Sequence, residues 1–182
     1  GETIKVLDIG VGASCIYPII GATEYGWNFI GSDSDNISIE SAQKICKNNA
    51  AIKNKIELRF QKDVKDIFYG IISKEERVDL TICNPPFHSS YEESQAGSIR
   101  KIQNLTQKKV TAPILNFGGQ NNELWCIGGE KKFVKEMIRE SKKFGESCFW
   151  FTSLISKQAH LPYIYAELNK AEAIDIRTVQ MG

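Results

Sequence analysis

Apolar residues recur along this chain in short runs with the spacing of β-strands. The first four runs cover residues 4–8, 27–32, 56–60 and 78–83, and two more cover residues 147–154 and 174–178. In the third and the last of these runs, apolar and polar positions alternate as they do in half-buried strands. The pattern therefore predicts six strands.

Between these runs, apolar positions recur at helical spacing. The clearest helix covers residues 130–144, where Phe133, Met137 and Ile138 share one face and Gly145 supplies a C-terminal stop. Pro162 suits the first turn of another helix. That helix is predicted to cover residues 162–168. The same spacing predicts further helices at residues 14–25, 38–49 and 63–72.

Strands that alternate with helices predict an α/β fold with a doubly wound, mostly parallel sheet. Ligands bind to such sheets at the carboxyl ends of strands, where Asp8, Asp33 and Asn84 lie. Because no internal repeat or linker interrupts the pattern, we expect residues 1–182 to form a single domain. Residues 88–113 are rich in Ser, Gln, Lys and Asn without core periodicity, and we expect a substrate loop there.

The composition is that of an ordinary globular domain, with 182 residues, 42% of them hydrophobic and 25% charged. No apolar run is long enough to cross a bilayer and the N-terminus lacks a secretory layout, so we expect a cytoplasmic protein without membrane contacts. The five cysteines are dispersed and the two histidines lie far apart, which supports neither a disulfide framework nor a metal site. We expect reduced thiols that serve as small apolar residues.

Positive charge is local in this chain. The 23 Lys and Arg residues against 22 Asp and Glu residues leave a net charge of +1, so no overall field attracts a polyanion. A nucleic-acid contact would depend on local clusters such as Arg100-Lys101 and Lys108-Lys109 in the predicted substrate loop. The pairs Lys131-Lys132 and Lys142-Lys143 lie on a predicted helix and are interpreted as its solvated face.

The sequence Asn84-Pro85-Pro86-Phe87, directly after the fourth predicted strand, suits methylation of a planar amino nitrogen. The lone pair of such a nitrogen is conjugated into a π system, and it is localised when an amide oxygen and a backbone carbonyl accept the two N–H hydrogens. Consecutive prolines fix φ and donate no N–H, so the preceding carbonyls can point into a cleft, and Phe87 offers a stacking face. Taken alone, these residues also form an ordinary strand-ending turn.

A glycine turn after the first strand indicates a cofactor site. Asp8, Gly10 and Gly12 form a D-x-G-x-G sequence that can turn sharply and lets a ligand approach the main chain. A dinucleotide fold prefers a third glycine where this chain has Cys15, which disfavours NAD. S-adenosylmethionine has no phosphate, and its ribose hydroxyls suit a carboxylate at the end of the second strand, where Asp33 lies.

The residues around the second and third strands leave alternatives open. Asp35 could replace Asp33 at the ribose, although an acid just before a helix also serves as an N-cap. Gln61 and Asp63 could border the adenine, although polar residues at a strand end are commonplace. Together with Asn84, these residues occur in the order and on the strands that an S-adenosylmethionine-dependent amino-methyltransferase requires.

Three segments, residues 7–18, 83–88 and 116–130, carry a family resemblance. They resemble the bacterial 23S ribosomal RNA (adenine-N6)-methyltransferases, relatives of the eukaryotic RNA adenine methyltransferases. The Asn84-Pro85-Pro86-Phe87 segment is shared with DNA adenine and protein glutamine methyltransferases. The last segment, with Gly118-Gly119 and Glu123-Leu124-Trp125-Cys126, is specific to the RNA family, although a buried Trp125 and a tight glycine connection would also explain it.

The resemblance implies a Rossmann-like class I methyltransferase that acts on N6 of a specific adenine in 23S ribosomal RNA, with ribosomal RNA or a ribosomal assembly particle as its partner. No protein partner is indicated. From the length and charge of the substrate loop, we expect Arg100, Lys101, Lys108 and Lys109 to contact RNA phosphates. His88 could contact the substrate beside Phe87, although an exposed loop histidine would also explain it. Family members are longer, so we expect a helical segment before the first strand and a further strand after the sixth.

Two other functions are compatible with the same motifs. A carboxamide nitrogen satisfies the same two acceptors as an adenine amino group, so the substrate could be a glutamine side chain in a protein. The chain could also be a non-catalytic module of the same fold that binds RNA. Methylation assays on both substrates would separate these functions.

Overall fold

A computed structural model describes residues 3–86 and 128–181, and it contains a parallel sheet of five strands in the order β3-β2-β1-β4-β5. The strands are β1 (Lys5–Ile9), β2 (Asn28–Asp33), β3 (Ile56–Phe60), β4 (Val78–Cys83) and β5 (Cys148–Trp150). The helices are α1 (Ile16–Glu24), α2 (Asn36–Lys47), α3 (Gly129–Ser141) and α4 (Leu161–Lys170), with a 3-10 turn at Gln158–His160. The predicted doubly wound α/β fold is confirmed.

The sheet is buried on both faces because successive side chains of a strand point to opposite sides. Val6 and Phe29 pack in one cluster with residues of α1 and α2. Leu7 and Ile30 pack in a second cluster with Met137 of α3. Each large apolar side chain buried in this way stabilises the fold by roughly 1.5–3 kcal/mol.

The predicted helix at residues 63–72 is wrong, because the segment forms turns instead. Side chains take up the backbone N–H groups that a helix would need. Asp63 Oδ1 accepts from the Lys65 N–H at 3.0 Å, while Glu140 Oε2, from α3, accepts from the N–H groups of Ile67 and Phe68 at 3.0 and 2.9 Å. Such bonds compete with helix formation, and the carboxylate that decides the outcome lies 73 residues away from Ile67.

The strand predicted at residues 147–154 is shorter in the structure, where β5 ends at Trp150. Beyond it, the contact with β4 is irregular and mixes side-chain with backbone bonds. Thr152 donates its N–H to Thr81 Oγ1 at 2.9 Å, and Leu154 donates its N–H to the Cys83 carbonyl at 2.9 Å. The chain therefore continues beside the end of β4 without forming a ladder.

The sixth strand, predicted at residues 174–178, is wrong: these residues are not in a strand and Ile174 is fully exposed. Side-chain contacts hold the segment. The Tyr165 hydroxyl lies 2.7 Å from Thr178 Oγ1, and the Arg177 guanidinium lies 4.9 Å from the Trp150 ring centroid. Alternating polarity predicts two faces for an extended segment but supplies no neighbouring strand to pair with.

Among the helices of residues 3–86 and 128–181, none is long and apolar enough to cross a membrane. The predicted substrate loop at residues 88–113, Phe87 and Cys126 lie outside the described residues.

Candidate active site

The carboxyl ends of β1, β2 and β4 meet at one edge of the sheet. Ile9 of β1 pairs with Ser32 on one side and with Cys83 on the other. Asp33 directly follows Ser32 on β2, and Asn84 directly follows Cys83 at the end of β4. The two residues therefore lie on either side of the end of β1. Parallel sheets bind their ligands at this edge.

The glycine turn predicted after β1 is present. The N–H groups of Gly10 and Val11 both donate to the Ser32 carbonyl at 2.9 Å, and the Gly12 N–H donates to Asp33 Oδ2 at 3.0 Å. Gly10 and Gly12 have φ of 73° and 65°, in the left-handed region that favours glycine. A Cβ added at Gly10 would meet no atom within 4 Å, so the main chain is open to a ligand there.

Asp33 and Asp35, the two candidates for the ribose, differ in their local roles. Asp33 Oδ1 accepts from the Asp35 N–H at 2.9 Å, so its carboxylate is fixed between the glycine turn and the start of α2. Asp35 is the N-cap of α2 and accepts from the Ser38 N–H at 3.0 Å and the Ser38 hydroxyl at 2.8 Å. Burial raises the pKa of Asp33, and the backbone donors partly offset this rise.

Asp8 is the most deeply buried acid at this edge. Its side chain is inaccessible, and neither carboxylate oxygen has a hydrogen-bond partner among residues 3–86 and 128–181. Burial raises the pKa of Asp8 to about 7, and the nearby charge of Asp33 adds to the rise. A buried polar group without a partner is costly, so this carboxyl suits a cationic hydrogen-bond donor from a ligand.

Asn84 is exposed just beyond β4, Pro85 is buried and Pro86 is half-buried. The Cys83 carbonyl accepts from the Leu154 N–H at 2.9 Å, which fixes the start of this turn against the segment that follows β5. An exposed amide beside a buried proline is a geometry that can receive a substrate group. The remaining predicted substrate contacts lie outside the described residues: Phe87, His88, Arg100, Lys101, Lys108 and Lys109.

Gln61 and Asp63 lie after β3 at the same edge, but both are engaged locally. The Gln61 side chain accepts from the Asp63 N–H at 3.1 Å and donates to the Tyr69 carbonyl at 2.9 Å. Its backbone N–H donates to the Asp33 carbonyl at 2.8 Å. The Gln61 amide therefore shapes the loop that follows β3, while the Asp63 side chain is exposed.

Sequence reasoning missed two residues at this edge, Tyr17 and Ser32. Tyr17 lies in the first turn of α1, and burial raises the pKa of its hydroxyl, with Asp8 and Cys83 adding to the rise. The buried Ser32 organises the glycine turn through its carbonyl. The signals for Tyr17 were its place at the start of the helix that follows the glycine turn and its position within the resembling segment, residues 7–18.

The thiols are inert by their surroundings. The four described cysteines, Cys15, Cys46, Cys83 and Cys148, are free and buried, as predicted. Burial raises the pKa of each thiol, which disfavours the nucleophilic thiolate. Within the part of the chain that the structure describes, no group of three or more His, Cys, Asp or Glu side chains could hold a metal ion.

A parallel sheet with an acid-flanked glycine turn and an Asn-Pro-Pro turn on the adjacent strand defines the class of Rossmann-like methyltransferase domains. Comparison with known families is consistent with this class. Residues 1–182 match the model of a family described as RNA methyltransferase. The chain belongs to this RNA methyltransferase family, which confirms the resemblance found in the sequence.

Curated relatives of this chain carry the name Ribosomal RNA large subunit methyltransferase F. The protein from Cytophaga hutchinsonii is 57% identical over 182 residues, which are 100% of this chain and 56% of the relative. The protein from Bacteroides fragilis is 54% identical over 177 residues, which are 97% of this chain and 58% of the relative. The chain thus spans little more than half the length of the curated relatives it matches.

Solved structures share the fold. The hMettl16 catalytic domain in complex with MAT2A 3′UTR hairpin 1 superposes with a TM-score of 0.71 at 30% identity, over 92% of this chain and 55% of that one. The N-terminal domain of human METTL16 in complex with SAH superposes with a TM-score of 0.69 at 25% identity, over 96% of this chain and 54% of that one.

Proposed function

We propose that this chain is a single catalytic domain of an enzyme that transfers a methyl group from S-adenosylmethionine to N6 of a specific adenine in 23S ribosomal RNA. The pairing of Ile9 with both Ser32 and Cys83 carries the proposal, because it sets the glycine turn beside the Asn84-Pro85-Pro86 turn. The name of the relatives supports large-subunit ribosomal RNA, free or in an assembly particle, as the partner.

The cofactor assignment depends on the acids at the ends of β1 and β2. S-adenosylmethionine, when bound, supplies an electrophilic methyl group on its sulfonium. Asp8 would accept hydrogen bonds from the ammonium group, since its two buried oxygens have no partner among the described residues. Asp33 would accept hydrogen bonds from the ribose hydroxyls. Its carboxylate already accepts from the N–H groups of Gly12 and Asp35, and lone pairs on its oxygens remain for the ligand. The SAH complex of the human METTL16 domain supports a cofactor of this class, without bearing on the individual residues.

The remaining cofactor contacts involve the glycine turn and the loop that follows β3. The open main chain at Gly10, in the turn that Gly12 completes, would let the amino acid portion approach closely. Gln61 and Asp63 would border the adenine ring from the loop after β3, with Gln61 acting through the shape of the loop because its side-chain amide is already bonded.

Asn84 and Pro85 would orient the substrate amine. Asn84 Oδ1 and the Pro85 carbonyl accept the two N6 hydrogens, which localises the nitrogen lone pair, and the gain comes from orientation and preorganised acceptors. Once methylated, the nitrogen is strongly acidic and loses a proton to water, so no general base is needed beforehand. Pro86 fixes the turn and Phe87 would stack on a base that has left its RNA stack.

The RNA would contact residues 88–113. We assign the phosphates to Arg100, Lys101, Lys108 and Lys109, with His88 beside the base. The hMettl16 catalytic domain in complex with an RNA hairpin supports an RNA substrate for this fold.

The central experiment is Asn84→Ala in the full-length protein, with labelled S-adenosylmethionine and either 23S ribosomal RNA or large-subunit assembly particles. We expect methyl transfer to be abolished while cofactor binding, measured by calorimetry, survives. Asn54→Ala is the matched control, because Asn54 is an exposed turn residue before β3, at the opposite edge of the sheet.

Mass spectrometry of the RNA nucleosides identifies the product. N6-methyladenosine made by the wild type and not by Asn84→Ala would support the proposal. Label on a peptide release factor instead of RNA would assign a glutamine amide as the substrate, and full activity of Asn84→Ala would exclude the proposed role of the turn.

A further inference from the structure

Glu130 is a charged residue in the core, far from the acids of the cofactor edge in the sequence. Its side chain is inaccessible to solvent. Glu130 Oε1 accepts from the Ser156 N–H at 2.6 Å, and Oε2 accepts from the Ser156 hydroxyl at 2.6 Å. The Oε2 atom also lies 3.2 Å from His160 Nδ1. Burial of a carboxylate is costly unless it is hydrogen-bonded, so the two bonds from Ser156 are what allow Glu130 to be buried here.

The partners of Glu130 belong to the connector between β5 and α4, residues 151–160. Before it reaches Ser156, this connector runs beside the end of β4: Thr152 donates to Thr81 Oγ1 at 2.9 Å and Leu154 donates to the Cys83 carbonyl at 2.9 Å. Cys83 directly precedes the Asn84-Pro85-Pro86 turn. The connector is therefore attached to the start of that turn at one point and to Glu130 two residues later.

The first turn of α3 holds Glu130 in a fixed place. Gly128 and Gly129 have φ of 88° and 62°, so the chain enters the helix through a turn in the left-handed region. A Cβ added at Gly128 would lie 2.8 Å from Lys132 Cβ, which makes this entry a close approach that glycine permits. An acid in a first turn also favours its own helix, but Ser156 and His160, which the Glu130 side chain contacts, lie 26 residues away or more.

We propose that Glu130 is a positioning residue that holds the β5–α4 connector across the end of β4 and so fixes the Asn84-Pro85-Pro86 turn for methyl transfer. The inference rests on the proposed function of that turn. Loss of the carboxylate removes both hydrogen bonds from Ser156. The connector is then no longer held two residues after Leu154, so the Leu154 bond to the Cys83 carbonyl is weakened. Small displacements of positioning groups lower kcat strongly.

The test compares Glu130→Ala, Glu130→Gln and Glu136→Gln in the full-length protein. Glu136 is the matched control because it lies on the same helix and pairs with Arg139, three residues away on that helix. At saturating cofactor and RNA, and at a temperature at which each variant is fully folded, we expect E130A to lower kcat by roughly tenfold or more. E130Q should fall between E130A and the wild type, because its amide oxygen can still accept from Ser156, and E136Q should match the wild type.

Hydrogen exchange of the connector gives a readout that does not depend on activity. Amides in residues 152–156 should exchange faster in E130Q, with β1 and β2 unchanged. A folded E130A with wild-type kcat, or unchanged connector exchange, would overturn the proposal; if E130A does not fold, E130Q decides by the same two measurements. If the wild type methylates no RNA, the proposed function fails. Hydrogen exchange of residues 152–156 then still tests whether Glu130 holds the connector.

Discussion

Asp8 couples protonation to folding. The pKa of its carboxyl rises from 3.8 to about 7 because burial disfavours the charge, so the folded protein holds this proton more tightly than the unfolded chain. The stability contributed by the protonated form is fully present below the unfolded pKa and is lost as pH rises through the folded pKa. As far as Asp8 is concerned, the free energy of unfolding therefore falls between about pH 4 and pH 7.

Asp8→Asn should remove this dependence, since the amide resembles the neutral acid. At pH 8 we expect the variant to be more stable than the wild type by as much as about 4 kcal/mol, at 1.36 kcal/mol per unit of pKa, with the difference shrinking towards pH 4. Urea denaturation at pH 4, 6 and 8 measures it. Asp66→Asn, at a carboxyl that is not fully buried, is the control, and a pH-independent difference in D8N would contradict the account.

Cofactor binding should respond to the same proton. If the ammonium of S-adenosylmethionine meets an ionised Asp8, binding releases a proton below pH 7, and the wild-type affinity should increase from pH 6 to pH 8. D8N should bind more weakly at pH 8 and show a flatter pH profile. Calorimetry in buffers of different ionisation enthalpy measures the proton directly, and binding by the wild type without proton release at pH 6 would refute the contact.

At the scale of elements, Gly31 of β2 is the position at which packing and the site meet. A Cβ there would lie 2.9 Å from Leu58 Cδ2, 2.9 Å from Val11 Cγ2 and 3.2 Å from Val11 Cβ. The leucine methyl group can move, but Val11 is stiff at χ1 and belongs to the glycine turn, whose N–H groups are bonded to Ser32. A side chain at position 31 must therefore displace the turn.

Gly31→Ala should destabilise the protein by about 1–3 kcal/mol through overpacking and weaken S-adenosylmethionine binding. Gly145→Ala is the matched control, since a Cβ there meets no atom within 4 Å. Thermal unfolding and calorimetry test both effects. Unchanged cofactor affinity in a destabilised G31A would show that the turn adapts independently of the strand.

Local periodicity predicted most elements because their formation depends on neighbours in sequence. β3 and β4 match their predicted bounds, and the apolar stripe of α2 is buried as its spacing requires. The helix at residues 63–72 was wrong because the Glu140 carboxylate, on a remote helix, takes two of its N–H groups. The strand at residues 174–178 was wrong because periodicity supplies no pairing partner.

The candidate site, like the fold, could be predicted only where it depends on local sequence. Strand ends can be read from the sequence, so Asp8, Asp33 and Asn84 were predicted to share an edge, and the register of β1 with β2 and β4 brings these positions together. The unpartnered burial of Asp8 and the contacts of Glu130 with Ser156 could not be predicted, because they depend on segments that only tertiary packing assembles.

At the scale of the whole molecule, charge must be distributed unevenly if a chain with a net charge of +1 is to bind RNA. Several exposed lysines lie at the wrong edge for the proposed site. Lys53, Lys74 and Lys143 precede β3, β4 and β5, so they lie near the amino ends of the strands, and Lys142 follows α3. The loop residues Arg100, Lys101, Lys108 and Lys109 therefore remain the proposed contacts with RNA phosphates.

Reversing the charge of these four loop residues to glutamate should weaken RNA binding and flatten its salt dependence, because each lost phosphate contact removes about 0.7–0.9 from the slope of log K against log salt. The full-length protein with Lys53, Lys74, Lys142 and Lys143 reversed carries the same net charge and should keep the wild-type slope. RNA affinity measured from 50 to 200 mM salt distinguishes the two variants. Equal slopes in both would mean that net charge, and not the loop, controls binding, and the substrate contacts would then have to lie elsewhere in the protein.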